Sequence, residues 1–96
     1  MALVHMVWLT PKAGVTSQQM NDIVESILAL KHLPGVISIS AGSNLTDRAN
    51  GASHGATIVL ESFAHLPAYI DHPDHQKVGV VLKECCEVAA LDYETE

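Results

Sequence analysis

Basic residues are scarce in this chain of 96 residues, and the few that are present do not cluster. Five lysines and arginines stand against eleven aspartates and glutamates, which gives a formal net charge of −6. The cations are spread along the chain: Lys12, Lys31, Arg48, Lys77 and Lys83. Because nucleic acids and anionic membrane surfaces are recognised by clustered positive charge, we expect neither as a partner.

Long apolar runs are also missing. No run approaches the roughly 20 residues that a membrane-spanning helix needs. The first residues lack the basic and apolar regions of a secretion signal. We therefore expect a cytoplasmic protein, and the length fits a single domain that covers residues 1–96.

Metal-binding and phosphate-binding motifs are not evident. Cysteine is limited to the adjacent pair Cys85 and Cys86, a spacing that matches no metal-binding motif. His72 and His75 could chelate a metal on a helix, but Pro73 disturbs that register and no third ligand is apparent. A glycine-rich phosphate loop is absent from the sequence. We therefore expect neither a metal nor a cofactor.

Hydrophobic periodicity predicts strands over residues 3–9, 36–41, 54–63 and 88–93, and helices after Thr16, over 64–70 and over 74–84. The first helix begins with a capping box of Thr16 and Gln19. Its apolar stripe consists of Met20, Ile23, Val24, Ile27 and Leu28. In the second strand, Ile37 and Ile39 are expected on one face.

The predicted elements follow the order strand, helix, strand, strand, helix, strand. This order is typical of a ferredoxin-like α+β fold, in which an antiparallel sheet carries its helices on one face. Residues 3–9 are apolar on both faces of their strand, so the second face of the sheet also needs cover. Face-to-face pairing of two sheets in a homodimer would provide that cover.

Six histidines are the most distinctive feature of the composition. Imidazole titrates near neutral pH and is the usual general acid or base. His5 lies on an apolar strand face, where an imidazole must be paired or line a cavity. His54 opens the third strand, and a predicted helix break is surrounded by Tyr69, His72 and His75. The remaining two lie beside turns and are expected at the surface: His32 and His65.

The segment from Tyr69 to His75 has the pattern Y-x-x-H-P-x-H. Other short segments agree with it in order and spacing: Leu33-Pro34-Gly35-Val36, Gly42-Ser43-Asn44, Glu61-Ser62-Phe63 and Leu91-Asp92-Tyr93. Together these segments span nearly the whole chain, which resembles the stress-responsive dimeric α/β-barrel (Dabb) family. Within that family its motifs are most similar to those of polyketide cyclases of the olivetolic acid cyclase type.

The resemblance implies a cofactor-free acid/base reaction on a small polyketide-like or aromatic carbonyl compound. His75 would be the general base, oriented by Tyr69, while His5 and His54 would donate hydrogen bonds to developing negative charge. The resemblance also implies a substrate pocket lined by Val7, Ile27, Leu28 and His72. Ile27 stands where such cyclases carry a tyrosine, so this pocket is expected to be more apolar.

Membership of such a family leaves the activity open. The first hypothesis is an aldol-type cyclase or a related lyase or isomerase. The alternatives are a non-catalytic stress-responsive homodimer, in which the histidines have structural roles, and a module that binds a small molecule in the same pocket.

Overall fold

The computed structural model describes residues 1–95 of the chain. Its strands are β1 (Leu3–Pro11), β2 (Val36–Ser43), β3 (His54–Leu60) and β4 (Cys86–Glu94). Its α-helices are α1 (Ser17–Leu28), α2 (Leu66–Asp71) and α3 (Pro73–Cys85), and two 3₁₀ turns cover Ala29–His32 and Phe63–His65. The predicted order of elements is therefore confirmed, with most boundaries displaced by a few residues.

The four strands form one antiparallel sheet in the order β2-β3-β1-β4. This is the ferredoxin-like α+β arrangement that the sequence predicts. β1 is central and pairs with β3 on one side and β4 on the other, so His5 faces Ile58 in one ladder and Asp92 in the other. The register thereby sets a histidine beside a carboxylate that is 87 residues away in sequence.

The hydrophobic core lies between the helices and one face of the sheet. The sheet contributes Leu3, Leu9, Ile58 and Leu60, and α1 contributes Met20, Ile23 and Ile27. Each such side chain, when fully buried, contributes roughly 1.5–3 kcal/mol through removal of apolar surface from water. The predicted capping box is present at the start of α1, where Thr16 Oγ1 accepts from the Gln19 N–H and Gln19 Oε1 accepts from the Thr16 N–H.

The expectation that Ile37 and Ile39 share a face is wrong. A bulge between Val36 and Ser38 shifts the pairing of β2 with β3, so that Ser38 faces Val59 and Ile39 faces Ile58. An extra residue in one strand reverses the faces of the residues before it relative to those after it. Val36 and Ile39 consequently both pack against the core, while Ile37 is 55% exposed.

The second face of the sheet carries apolar side chains that no helix covers. Val4 and Met6 of β1 lie beside Tyr93 and Leu91 of β4 in the ladder. Leu91 is 52% exposed and Tyr93 is 47% exposed. We call this surface the open sheet face. Separately, none of the helices within residues 1–95 has the length and apolar character needed to cross a membrane.

Candidate functional site

Three of the predicted site residues meet where β1, α2 and α3 come together. The ring centroids of Tyr69 and His75 are 4.8 Å apart, and those of His5 and Tyr69 are 6.1 Å apart. Both pairs meet edge to face, a favourable arrangement for aromatic rings. We call His5, Tyr69 and His75 the His–Tyr–His cluster.

The break between α2 and α3 places Tyr69 and His75 side by side. α2 ends at Asp71, and His72 adopts φ −60° and ψ 137°, which is outside the helical region. Pro73 then starts α3, a position where proline's fixed φ suits the helix and its missing N–H costs nothing. The turn at His72 therefore redirects the chain and brings the first turn of α3 back against Tyr69.

His72 itself caps α3. Its Nδ1 accepts a hydrogen bond from the Asp74 N–H at 3.1 Å, which satisfies one of the free donors at the helix start. The resemblance implies that His72 lines a substrate pocket. In the structure, the Nδ1 atom of His72 is occupied by this local hydrogen bond to the start of α3.

A carboxylate that the sequence argument did not single out joins the cluster through His5. Asp92 Oδ1 lies 2.5 Å from His5 Nδ1. A carboxylate can only accept, so Nδ1 carries the proton and Nε2 remains available for another partner. The signal for Asp92 was its position in the otherwise apolar stretch 88–93, but its partner becomes evident only from the register of β1 and β4.

Burial sets the protonation states within the cluster. Desolvation is the largest influence on His75 and lowers its pKa below 6.5, and positive charge on His5 lowers it further, against the opposing effect of the Ile70 carbonyl. Desolvation raises the pKa of Tyr69 to about 12. At neutral pH the cluster therefore offers a neutral imidazole, which can accept a proton, beside a phenol that keeps its own.

His54 does not join the cluster. It faces Leu9 in the β1–β3 ladder, four residues along β3 from Ile58, the residue opposite His5. At about 3.3 Å per residue, that places it roughly 13 Å away along the strand. Its Nδ1 lies 2.7 Å from Ser53 Oγ, and it lines a separate groove of about 290 Å³ together with Trp8 and Gly42.

The other predicted pocket residues lie in or near the core. Ile27 is 3% exposed and belongs to the same buried group as Tyr69, and Val7 packs against that group. Leu28 is half-buried on α1. A groove of about 140 Å³ is lined by Asp92 together with Leu3, Phe63, Tyr93 and Glu94, and not by the three cluster residues. Among residues 1–95, no group of three or more histidines, cysteines and carboxylates is arranged to hold a metal ion.

The fold and the cluster together define a ferredoxin-like α+β domain with a histidine–tyrosine–histidine contact between its sheet and its helices. The chain belongs to the Dabb family, described as the stress responsive A/B barrel domain, whose sequence profile matches residues 3–95. The resemblance to the Dabb family that the motifs indicate is thus confirmed. No curated protein matches the chain significantly.

Solved structures from several organisms share the fold. A dimeric ferredoxin-like protein of unknown function from Thermobifida fusca has 20% identity and a TM-score of 0.87, with 99% of this chain and 92% of that chain covered. Hydroxynitrile lyase from Passiflora edulis has 20% identity and a TM-score of 0.87, with 96% of this chain and 91% of that chain covered. A Dabb family protein from Mesorhizobium loti has 20% identity and a TM-score of 0.81, with coverage of 99% and 97%.

Proposed function

We propose that the protein is a cofactor-independent acid/base enzyme that acts on a small carbonyl compound, as an aldol-type cyclase or a related lyase or isomerase. The observation that carries this proposal is the edge-to-face contact between Tyr69 and His75, whose rings are 4.8 Å apart. It pairs a neutral, half-buried base with a protonated phenol whose residue is 2% exposed.

In this proposal His75 removes a proton from the carbon next to a carbonyl. The proton moves to the unprotonated ring nitrogen of His75, and the electron pair of the broken C–H bond forms an enolate. In a cyclase the enolate carbon then attacks a second carbonyl of the same molecule, and the resulting alkoxide takes a proton back. Tyr69 holds the imidazole in place and supplies a hydroxyl donor to the reacting oxygen.

The His5–Asp92 pair supplies the second donor. With Nδ1 of His5 bonded to Asp92 Oδ1 at 2.5 Å, its Nε2 lies on the side of the ring away from the carboxylate, and in this proposal Nε2–H is the donor. Negative charge that develops on a carbonyl oxygen there is stabilised by this preorganised donor. We place His54 outside the reacting centre, because it lies roughly 13 Å along the strand from His5.

The charges near His5 favour an uncharged substrate. The groove that Asp92 lines has a volume of about 140 Å³ and carries a second carboxylate, Glu94, but its lining includes neither Tyr69 nor His75. An anion that approaches the His5–Asp92 pair from this side would be repelled by both carboxylates. A lyase is among the proteins that share this fold, since hydroxynitrile lyase from Passiflora edulis aligns over 96% of the chain.

We further propose that two copies associate through the open sheet face. Its exposed Leu91 and Tyr93 need cover, and the similar proteins from Thermobifida fusca and Bacteroides fragilis are described as dimeric. The cytoplasmic location remains a prediction from the sequence.

One observation favours a second candidate function, that of a non-catalytic homodimer. Tyr69 is only 2% exposed and His5 only 7% exposed, as expected of side chains that pack a core. In that case the cluster would stabilise the fold and bind no substrate.

Exchange of carbon-bound protons with solvent deuterium distinguishes the enzyme from the non-catalytic homodimer. The purified protein is incubated in D₂O with phenylacetone, and deuterium incorporation next to the carbonyl is followed by NMR. The enzyme proposal expects exchange above the buffer rate that His75→Ala removes and that the matched control His65→Gln retains. If the folded wild-type protein gives no exchange above the buffer rate with phenylacetone or acetylacetone, the enzyme proposal is overturned in favour of the non-catalytic dimer.

A further inference from the structure

His32 connects two elements that are far apart in sequence. It ends the 3₁₀ turn Ala29–His32 that follows α1, and Asp74 lies in the first turn of α3. His32 Nδ1 lies 2.8 Å from the Ala29 carbonyl oxygen, and His32 Nε2 lies 2.9 Å from Asp74 Oδ2. We call these two contacts the His32 clasp.

Both atoms that the His32 ring nitrogens contact are hydrogen-bond acceptors. A carbonyl oxygen and a carboxylate oxygen each need a donor, so both nitrogens of His32 must carry a proton. A neutral imidazole has only one N–H. The geometry of the clasp therefore requires the imidazolium form of His32.

The residue held by the clasp adjoins the proposed base. Asp74 directly precedes His75, and the Asp74 N–H is bonded to His72 Nδ1 at 3.1 Å. The Gln76 N–H is bonded in turn to the His72 carbonyl at 2.9 Å. The first turn of α3 is thus fixed from its backbone by His72 and from its side chain by His32.

We propose that His32 is a positioning residue, whose protonated ring holds the first turn of α3 so that His75 stays against Tyr69. Its effect on catalysis rests on the proposed function, whereas its effect on the position of α3 does not. His32 touches no reacting atom and acts through Asp74.

The pKa values of both partners agree with this arrangement. The hydrogen bond to Asp74 is the largest influence that raises the pKa of His32, followed by the Ala29 carbonyl. The hydrogen bond to His32 is the largest influence that lowers the pKa of Asp74, and the positive charge of Lys77 on α3 lowers it further.

The sign of the pH dependence follows from these shifts. The clasp is complete below the raised pKa of His32 and is lost as the pH rises through that value. It is also lost at low pH, as the pH falls through the lowered pKa of Asp74. The pair is exposed to solvent, so salt weakens it and its effect is modest. The other titratable groups nearby are Lys77 on α3, His72 directly before α3, and Lys31 next to His32 in sequence.

NMR tests the clasp without any assay of activity. We expect both ring nitrogens of His32 to be protonated at pH 6, with a titration midpoint that falls in Asp74→Asn. In His32→Gln, amide exchange at Gln76 should be faster than in the wild type, and the ring protons of His75 should shift. Lys31→Gln removes a neighbouring charge from the same turn. It should leave the amide exchange at Gln76 and the ring-proton shifts of His75 unchanged. An unaltered His32 midpoint in Asp74→Asn, or unaltered Gln76 exchange in His32→Gln, overturns the proposal.

Activity supplies a separate readout. His32→Gln should lower kcat about two- to fivefold, which is the range expected for one exposed ion pair, and KM should change little. In the wild type kcat should decline at alkaline pH, and His32→Lys should move that decline upward because lysine keeps its charge. A wild-type protein without activity would contradict the proposed function and leave the NMR measurements of the clasp unaffected, so the two failures are distinguishable.

Discussion

His5 and Asp92 face each other across the β1–β4 ladder, and a carboxylate oxygen of Asp92 lies 2.5 Å from Nδ1 of His5. The pair joins the innermost histidine of the protein to the last strand of the sheet. Since His5 is 7% exposed, an unpaired Nδ1–H on its ring would be costly, and the Asp92 carboxylate accepts that hydrogen bond.

Replacement of Asp92 by asparagine tests this pair. Asp92→Asn keeps the shape of the side chain but replaces the charged acceptor of the His5 Nδ1–H by a neutral one. A hydrogen bond to a charged group contributes roughly 1.5–3 kcal/mol, so activity should fall by about 10- to 150-fold. The initial rate of the proton-exchange reaction measures this. Glu87→Gln, at an exposed position of β4, is the matched control and should retain the wild-type rate.

Tyr69→Phe separates the packing of the ring from the role of the hydroxyl. The aromatic contacts with His5 and His75 remain, so the free energy of unfolding should change by less than about 1.5 kcal/mol. The exchange rate should fall by about 100-fold, because the donor to the developing charge is gone. Urea unfolding and the exchange rate are measured on the same preparation. An active Tyr69→Phe variant would show that the hydroxyl has no catalytic role.

The pH dependence of stability should report the partial desolvation of His75. Its pKa is lowered in the folded protein, while the unfolded chain has a value near 6.5. Below pH 6.5 the unfolded state therefore binds a proton that the folded state does not, and stability contributed by this group is lost as the pH falls towards the folded pKa. Urea unfolding between pH 7 and 5 should show a smaller loss in His75→Gln than in the wild type. Equal losses in both proteins would contradict the assigned burial effect.

Replacement by alanine should change the stability of the protein in opposite directions at Gly35 and at Gly79. Gly35 has φ +83°, and a Cβ built on it would lie 2.5 Å from Cδ2 of His65. Gly35→Ala should therefore destabilise the protein by about 1–3 kcal/mol. Gly79 lies within α3, and nothing lies within 4 Å of a Cβ built there. Gly79→Ala should stabilise the protein by about 0.5–1 kcal/mol, and chemical denaturation of both variants measures the difference.

Association through the open sheet face predicts a sensitive position at Leu91. Leu91→Asp places a charge among the exposed apolar side chains of that face, and the protein should shift from dimer to monomer in sedimentation experiments. Val80→Asp is the matched control, because Val80 is 57% exposed on α3 and Leu91 is 52% exposed. Val80→Asp should sediment as the wild type does. Dissociation by the control alone would place the interface on the helical face.

The fold could be predicted from the sequence because local patterns specify it. The capping box at Thr16, the stripe of apolar residues that follows it and the break before Pro73 each depend on neighbours a few residues away. The bulge in β2 could not be predicted, because Ile37 and Ile39 alternate as in a regular strand. Its position follows from the pairing with β3, which is a long-range contact.

In the candidate site, too, the features set by nearby residues could be predicted and those set by strand pairing could not. Tyr69 and His75 belong to one short motif, and the structure places their rings in contact. The pairing of Asp92 with His5 could not be predicted, because it depends on the register between β1 and β4. A shift of that register by one residue would turn Asp92 to the opposite face of the sheet. The position of His54 relative to His5 likewise depends on where β3 pairs with β1, which no local pattern specifies.

The bulge in β2 has a consequence for how copies of the chain can meet. β2 is an outermost strand of the sheet, and its free backbone N–H and C=O groups could pair with a strand from another molecule. The irregularity at Ile37 interrupts the flat row of groups that such pairing needs, near the start of the strand. Strand-by-strand growth into open-ended assemblies is thereby disfavoured at the start of β2.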